Sequence, residues 1–202
     1  MRLERDGTAL VIDPGAFSDL DAALDGSPAV LVTHEHVDHL AADRVATAVR
    51  EGVDVWGPQP ALDALAAAGA PAERLHAVRA GDTVTVGAFE VDVLGEWHAV
   101  IHPDVPRIAN VAYLVDGVLH PGDAFVDPEG RTVSLLLAPL GAPWLKLAEV
   151  VDWVRAVQPA RVAVIHDAPL SEVGRGLART LLGRLGGAGE PLDLANGEMT
   201  YV

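Results

Sequence analysis

The chain has 202 residues, half of them apolar and 21% charged, which suits a single domain with a sizeable core and excludes a disordered chain. Its longest apolar runs, such as Val133 to Leu140, fall far short of the ~20 residues of a membrane span. Arg2, Glu4, Arg5 and Asp6 interrupt any leader-like stretch, and the lack of cysteine excludes disulfides, thiolate metal sites and a cysteine nucleophile. The net charge of −15, with only Lys146 and scattered arginines as cations, opposes nucleic acid and favours a small-molecule substrate. Arg175, Arg179 and Arg184 form the densest basic stretch and read as the solvated face of a helix. Residues 1–202 are expected to form one cytoplasmic domain.

In chain order, a strand, a turn at Asp6-Gly7 and a strand over Ala9 to Ile12 lead to a loop at Pro14-Gly15. Ala29 to Thr33 reads as a short buried strand running straight into a histidine cluster. Helical patterning covers Ala41 to Arg50 and Pro60 to Ala68, where proline suits the first turn and Gly69 the stop. Thr83 to Val86 and Phe89 to Leu94 form a hairpin across Gly87-Ala88. Val111 to Val115 and Val118 to His120 flank Asp116-Gly117, the strongest hairpin signal in the chain. A buried strand over Leu135 to Ala138, a helix over Leu147 to Val157 and a strand over Arg161 to Ile165 follow. A helix from about Ser171 to Leu185 and a hairpin around Asn196-Gly197 complete the chain. Hairpins first, then strands alternating with helices, predict two packed sheets with helices on their outer faces.

The chemistry concentrates in Thr33-His34-Glu35-His36-Val37-Asp38-His39. Three imidazoles and a carboxylate within six residues are ligand chemistry for zinc or another borderline divalent metal. His34 and His36 can face one side of an extended segment, whereas Asp38 and His39 follow once the chain turns. That spacing suits two ions side by side. The bland alternative is a surface histidine cluster on a turn.

His-x-His-x-Asp-His after a short strand, preceded by Val11-Ile12-Asp13-Pro14-Gly15, resembles the metallo-β-lactamase superfamily of binuclear metallohydrolases over nearly the whole chain. The nearest branch by resemblance is that of compact bacterial hydrolases similar to ascorbate-6-phosphate lactonase. The resemblance implies an α+β fold, an αββα sandwich of two mixed sheets with the metals at one edge. It implies further ligands at His98, at Asp123 in Pro121-Gly122-Asp123, and at His166. On this reading His34, His36 and His98 hold one ion, Asp38, His39 and His166 the other, and Asp123 bridges them. Asp38 thereby also belongs to the catalytic machinery. The cofactors implied are two divalent ions, zinc first, with manganese, iron or cobalt as alternatives. The implied reaction is attack by a bridging hydroxide on a carbonyl or phosphoryl centre of a lactone, ester, amide or phosphodiester. Two other classes remain in view: a mononuclear iron thiol dioxygenase, in which Asp38, His39 and His166 would be idle, and a metal binder without catalysis.

Neighbouring residues divide less cleanly. His102 lies four residues after His98 and would replace it as ligand on a helix; Pro103 and the strand pattern favour His98. His102 is then a proton donor to the leaving group, a pocket residue or a plain loop histidine. Asp13 either orients the histidine loop or caps the Pro14-Gly15 turn. His120 is expected beside the site and His76 on the surface, and Glu35 falls at a variable position. Trp97 and Trp144 either line the pocket or belong to the core. Relatives begin with an additional strand before the hairpin that here starts at Met1. Its absence leaves a sheet edge open and invites self-association, so a homo-oligomer is among the expected partners. A naturally short variant and a start codon assigned too late are the two explanations.

Overall fold

A computed structural model describes residues 1–194 and 200–201. The first sheet contains β1 (Arg2–Arg5), β2 (Thr8–Ile12), β3 (Ala29–Leu31), β4 (Asp54–Gly57) and β5 (Leu75–Ala77), in that spatial order. The opening pair is an antiparallel hairpin. Its turn residues Asp6 and Gly7 both have positive φ, as a two-residue hairpin of this twist requires. Strands β2 to β5 then run parallel, joined through α1 (Leu20–Leu24), α2 (Ala42–Arg50) and α3 (Gln59–Ala67).

The second sheet contains β6 (Thr83–Val86), β7 (Phe89–Leu94), β8 (Ala112–Val115), β9 (Val118–His120), β10 (Leu135–Pro139) and β11 (Arg161–Ile165), again in neighbour order. Two hairpins build its antiparallel half. The β9, β10 and β11 strands are parallel, with α4 (Leu147–Val157) crossing between the last two and α5 (Glu172–Leu185) following. Ser171 caps α5 by accepting a hydrogen bond from the Gly174 amide, which satisfies a donor with no partner inside the helix.

Alternation along the strands sorts the core into layers. Leu10 and Ile12 pack with Leu31, Phe89, Val91, Val93 and Tyr113 between the sheets. Val11, Val30 and Val55 face the other way, onto Val45, Val49, Leu62 and Leu65 of α2 and α3. On the far sheet, Leu114, Leu136 and Val164 pack against Val150, Val154 and Leu182 of α4 and α5. The result is the expected αββα sandwich. Tyr113 ties the two sheets together, its buried hydroxyl donating to the Val32 carbonyl at 2.8 Å.

Most expected elements recur within a residue or two, and the hairpin expected around Asn196-Gly197 lies outside the described residues. Three elements were not anticipated: α1, β4 and β5. They are short, and parallel pairing supplies no tight-turn signal. The β1 strand does lie at a sheet edge. Among the described residues no helix is long and apolar enough to cross a membrane.

Candidate metal centre

Parallel strands gather their carboxyl ends on one edge, where loops carry chemistry over a fixed scaffold. Asp13 follows β2, the 33–39 loop follows β3, and Asp123 and His166 follow β9 and β11. His98 follows β7, which runs in the same direction as β9 because β8 is antiparallel to both.

The histidine loop is seated by Asp13. Its buried carboxylate accepts from the Thr33 amide at 2.7 Å, from the Thr33 hydroxyl at 2.6 Å and from His39 Nδ1 at 2.7 Å. Thr33 Oγ1 in turn accepts from His34 Nδ1 at 3.0 Å. Gly15 packs so close beneath the loop that a Cβ there would fall 1.7 Å from the Asp38 carbonyl oxygen. Only glycine fits. Asp13 therefore orients the loop, the first of the two roles considered for it.

His98 and His166 are oriented in a similar way. His98 Nδ1 donates to the Ala99 carbonyl and His166 Nδ1 to the Gly141 carbonyl, each at 2.6 Å. With Nδ1 committed, the Nε2 lone pairs of His39, His98 and His166 are the free ligand atoms. All three are buried without a hydrogen-bond partner, as is Asp123 Oδ1. Such orphaned polar atoms are costly, and bound metal would satisfy all four.

The separations fit that reading. Ligand atoms about 2.0–2.1 Å from a tetrahedral ion lie about 3.3 Å from each other. His34 Nε2 and His36 Nδ1 are 3.1 Å apart. Asp123 Oδ1 is 3.2 Å from His39 Nε2, and Asp123 Oδ2 is 3.3 Å from His98 Nε2 and 3.4 Å from His166 Nε2. Asp38 Oδ2 is 3.2 Å from His166 Nε2. Three overlapping groups result: His34, His36 and His98; His34, His39 and Asp123; Asp38, His39 and His166. All seven residues expected as ligands meet in one cluster.

Electrostatics follow from packing three carboxylates among five imidazoles. Burial alone would raise the Asp123 pKa, but His39 and His98 outweigh it and hold the carboxyl well below its usual range. Asp38 is drawn down to about 2, chiefly by His166. Burial, reinforced by the neighbouring His39 charge, lowers His34 to about 2. Burial also opposes the charge on His39, yet Asp13 and Asp123 overcome it and lift its pKa to about 10. His166 is raised in the same manner against its burial, by Asp38 and Asp123.

His102 stands apart from this cluster. Its side chain is 62% exposed, its Nδ1 accepts from the Asp104 amide, and it does not line the pocket bordered by His36 and His98. Of the three roles considered for it, the placement fits the plain loop histidine best. Sequence reading undervalued two other residues. Trp144 Nε1 donates to Asp123 Oδ2 at 3.0 Å, and Asn110 Oδ1 accepts from the Asp123 amide at 2.9 Å while its Nδ2 donates to the Pro121 carbonyl. Nothing in their immediate sequence marks Asn110. His120 is buried beside the site, 3.9 Å from Asp13, whereas His76 pairs with Asp54 and stacks on Trp56 away from it.

A sandwich with this cluster at its edge is the metallo-β-lactamase architecture, and the chain belongs to that superfamily: the model of the Beta-lactamase superfamily domain matches residues 1–166. Among relatives, Protein Rv0786c of Mycobacterium tuberculosis is 38% identical over 179 residues, 84% of this chain and 81% of that protein. "Probable L-ascorbate-6-phosphate lactonase UlaG" of Salmonella heidelberg is 34% identical over 90 residues, 43% of this chain but only 23% of its own length. Two solved structures share the fold at 18% identity. Igni18, a metallo hydrolase of Ignicoccus hospitalis, has a TM-score of 0.72 over 98% of this chain and 91% of its own. CmlA, a diiron β-hydroxylase of Streptomyces venezuelae, has a TM-score of 0.65 over 96% of this chain and 51% of its own.

Proposed function

We propose that the protein is a metal-dependent hydrolase holding two divalent ions, zinc first, and acting on a small molecule with a lactone, ester, amide or phosphodiester bond. The observation that carries this reading is the convergence of seven candidate ligand side chains at tetrahedral-edge separations, with Nε2 of His39, His98 and His166 and Oδ1 of Asp123 buried and without hydrogen-bond partners. Under it, His34, His36 and His98 would hold one ion and Asp38, His39 and His166 the other, with Asp123 between the two groups. When bound, such a pair of ions supplies an acidified water at neutral pH and Lewis-acid polarisation of the scissile oxygen.

The chain's own residues set the conditions for that chemistry. Asp123 stays ionised and offsets part of the charge of two cations, and Trp144 and Asn110 fix its rotamer and backbone. Asp13, through Thr33 and His39, fixes the tautomers that turn Nε2 inward. Asp38 is more exposed than Asp13 and Asp123, so its carboxylate would stand at the mouth of the centre, where it could accept a proton from metal-bound water. The acidic chain favours a small molecule over nucleic acid. A mononuclear reading would leave the Asp38, His39 and His166 group without purpose.

The test is elemental analysis of protein purified without added metal, followed by a panel of lactones, esters, amides and phosphodiesters. Two ions per chain with turnover supports the reading. A single iron with oxygen uptake on thiols would replace it with the dioxygenase, and metal without turnover would leave a binding protein. Iron belongs among the metals tested, because CmlA, of like fold, is described as a diiron enzyme.

A further inference from the structure

The pocket beside the centre is walled by His36 and His98 on one side and by residues 99–101 and 105–108 on the other. The loop is anchored at its base. Trp97 bridges to Ala109, the His98 amide donates to the Ile108 carbonyl at 3.0 Å, and the Ala99 amide donates to the Asp123 carbonyl at 2.8 Å. Between these ties it exposes Val100, Ile101 and Val105. Their contact with solvent is unfavourable unless something covers them.

Arg107 stands on the same wall. Its Nε donates to the His98 carbonyl at 2.6 Å, and its guanidinium carbon sits 5.9 Å from the Trp97 ring centroid. Those contacts fix the side chain but use one of its five N–H donors. Acids outnumber Lys and Arg by 29 to 14 in this chain, and most cations have a carboxylate within 4.0 Å. Among the described residues Arg107 has none. A guanidinium held in place beside two ligand histidines, with both terminal nitrogens unclaimed, is preorganised for an anion from outside.

We infer that Arg107 is a substrate-recognition residue: it grips a carboxylate or phosphate borne by the substrate beyond the bond that is cleaved, while Val100, Ile101 and Val105 shelve the short apolar stretch between the two. The substrate clause rests on the hydrolase reading; the anion site itself does not. A purely structural role, pinning the loop through the His98 carbonyl, needs only Nε and predicts no anion selectivity.

The test uses zinc-loaded full-length protein, Arg107→Met and Arg107→Lys. Calorimetry with succinate and with inorganic phosphate reads the site without turnover. Arg107→Met is expected to lose about tenfold or more in affinity for at least one anion, the size expected for hydrogen bonds to a charged group, with zinc content unchanged. Arg107→Lys should fall between, since an ammonium keeps the charge but not the planar fork. Whichever anion is affected more identifies the group. The kinetic arm compares mono-4-nitrophenyl succinate with the neutral 4-nitrophenyl pentanoate. Arg107→Met should raise KM for the charged ester about tenfold and leave the neutral one near wild type. Equal anion affinities in wild type and Arg107→Met, no binding of either anion to wild type, or an equal loss on both esters would overturn the proposal. Failure of every protein to cleave either ester would count against hydrolysis, with the calorimetry still deciding the role of Arg107.

Discussion

Asp13→Asn isolates the residue on which the histidine loop depends. The wild-type carboxylate faces three donors, two from Thr33 and one from His39. An amide keeps one acceptor and presents an NH2 group to the remaining donors. His39 can relieve that conflict by moving its proton to Nε2, which removes the lone pair intended for metal. Loss of such an orienting partner typically costs ~10–100-fold in metal affinity. Stability should change as well, in a pH-dependent way. The His39 pKa rises from an ordinary 6.5 to about 10, with Asp13 the leading cause working against burial, equivalent to roughly 4–5 kcal/mol in favour of the imidazolium. A raised pKa stabilises the fold fully below the unfolded value and loses that contribution as pH climbs through the folded one. Metal-stripped wild type should therefore lose stability steadily between about pH 6.5 and 10. Asp13→Asn should be less stable at pH 6 by a few kcal/mol and should show a much flatter decline over that window. Urea unfolding across the range, with zinc affinity by competition against a chromophoric chelator, measures both. Wild-type zinc affinity together with an unchanged pH slope would refute the assignment of Asp13 as the residue that sets the His39 proton.

Three further outcomes test the centre. Asp123→Ala removes carboxylate oxygens that lie 3.2 to 3.4 Å from Nε2 of His39, His98 and His166 and should lower occupancy of both ions by at least ~10–100-fold with loss of turnover while the circular dichroism persists; two retained ions with full activity would remove Asp123 from the site. His98→Ala should reduce metal content toward one ion per chain, and His102→Ala, on an exposed side chain, should leave both ions and the rate within about twofold; the converse pattern by elemental analysis would exchange their roles. Zinc binding to the metal-stripped protein at pH 7 should release protons, about one from His39, whose pKa is lifted to about 10, with a further contribution from His166, whose pKa is also raised, since both must bind as neutral imidazoles. Calorimetry in buffers of differing ionisation enthalpy counts those protons, and a count near zero would contradict the charge state derived for His39.

The parts of the fold that were legible in the sequence carry local physics. Asp116-Gly117 announces the β8–β9 hairpin because only such residues accept both positive φ angles, and α4 and β11 stand out by apolar period and by their flanks. The β4 and β5 strands leave no comparable trace: each is three or four residues long, and each is specified by a parallel neighbour far away in sequence. The centre divides along the same line. The run from His34 to His39 reads as metal chemistry by itself, but nothing in spacing brings His98, Asp123 and His166 to it; that step came from family resemblance. Asn110, and the part Trp144 plays beyond lining the pocket, were not legible because their contribution is a hydrogen bond with Asp123 across 13 and 21 residues. His98 and His102 lie four residues apart, yet the first is buried in the cluster and the second is exposed on the loop, a difference that their spacing does not announce.

The left-handed residues sharpen that contrast. Asp6, Asp13, Asp116 and His166 share φ values of 50° to 53°, an uncommon conformation for side chains other than glycine. At Asp6 and Asp116 the following glycine and the twist of a two-residue hairpin explain it, and the Asp-Gly pairs could be read directly. Asp13 and His166 have no such turn. Asp13 precedes Pro14, which favours extended backbone in the residue before it, and His166 ends a regular parallel strand. Each is held where it is by what its side chain reaches, Thr33 and His39 in one case and the Gly141 carbonyl in the other. Strain of this kind costs on the order of 1–3 kcal/mol and persists only where the surroundings over-determine it. The two bends therefore mark the places where the scaffold gives up backbone comfort to aim an orienting carboxylate and a candidate ligand imidazole at the same cluster.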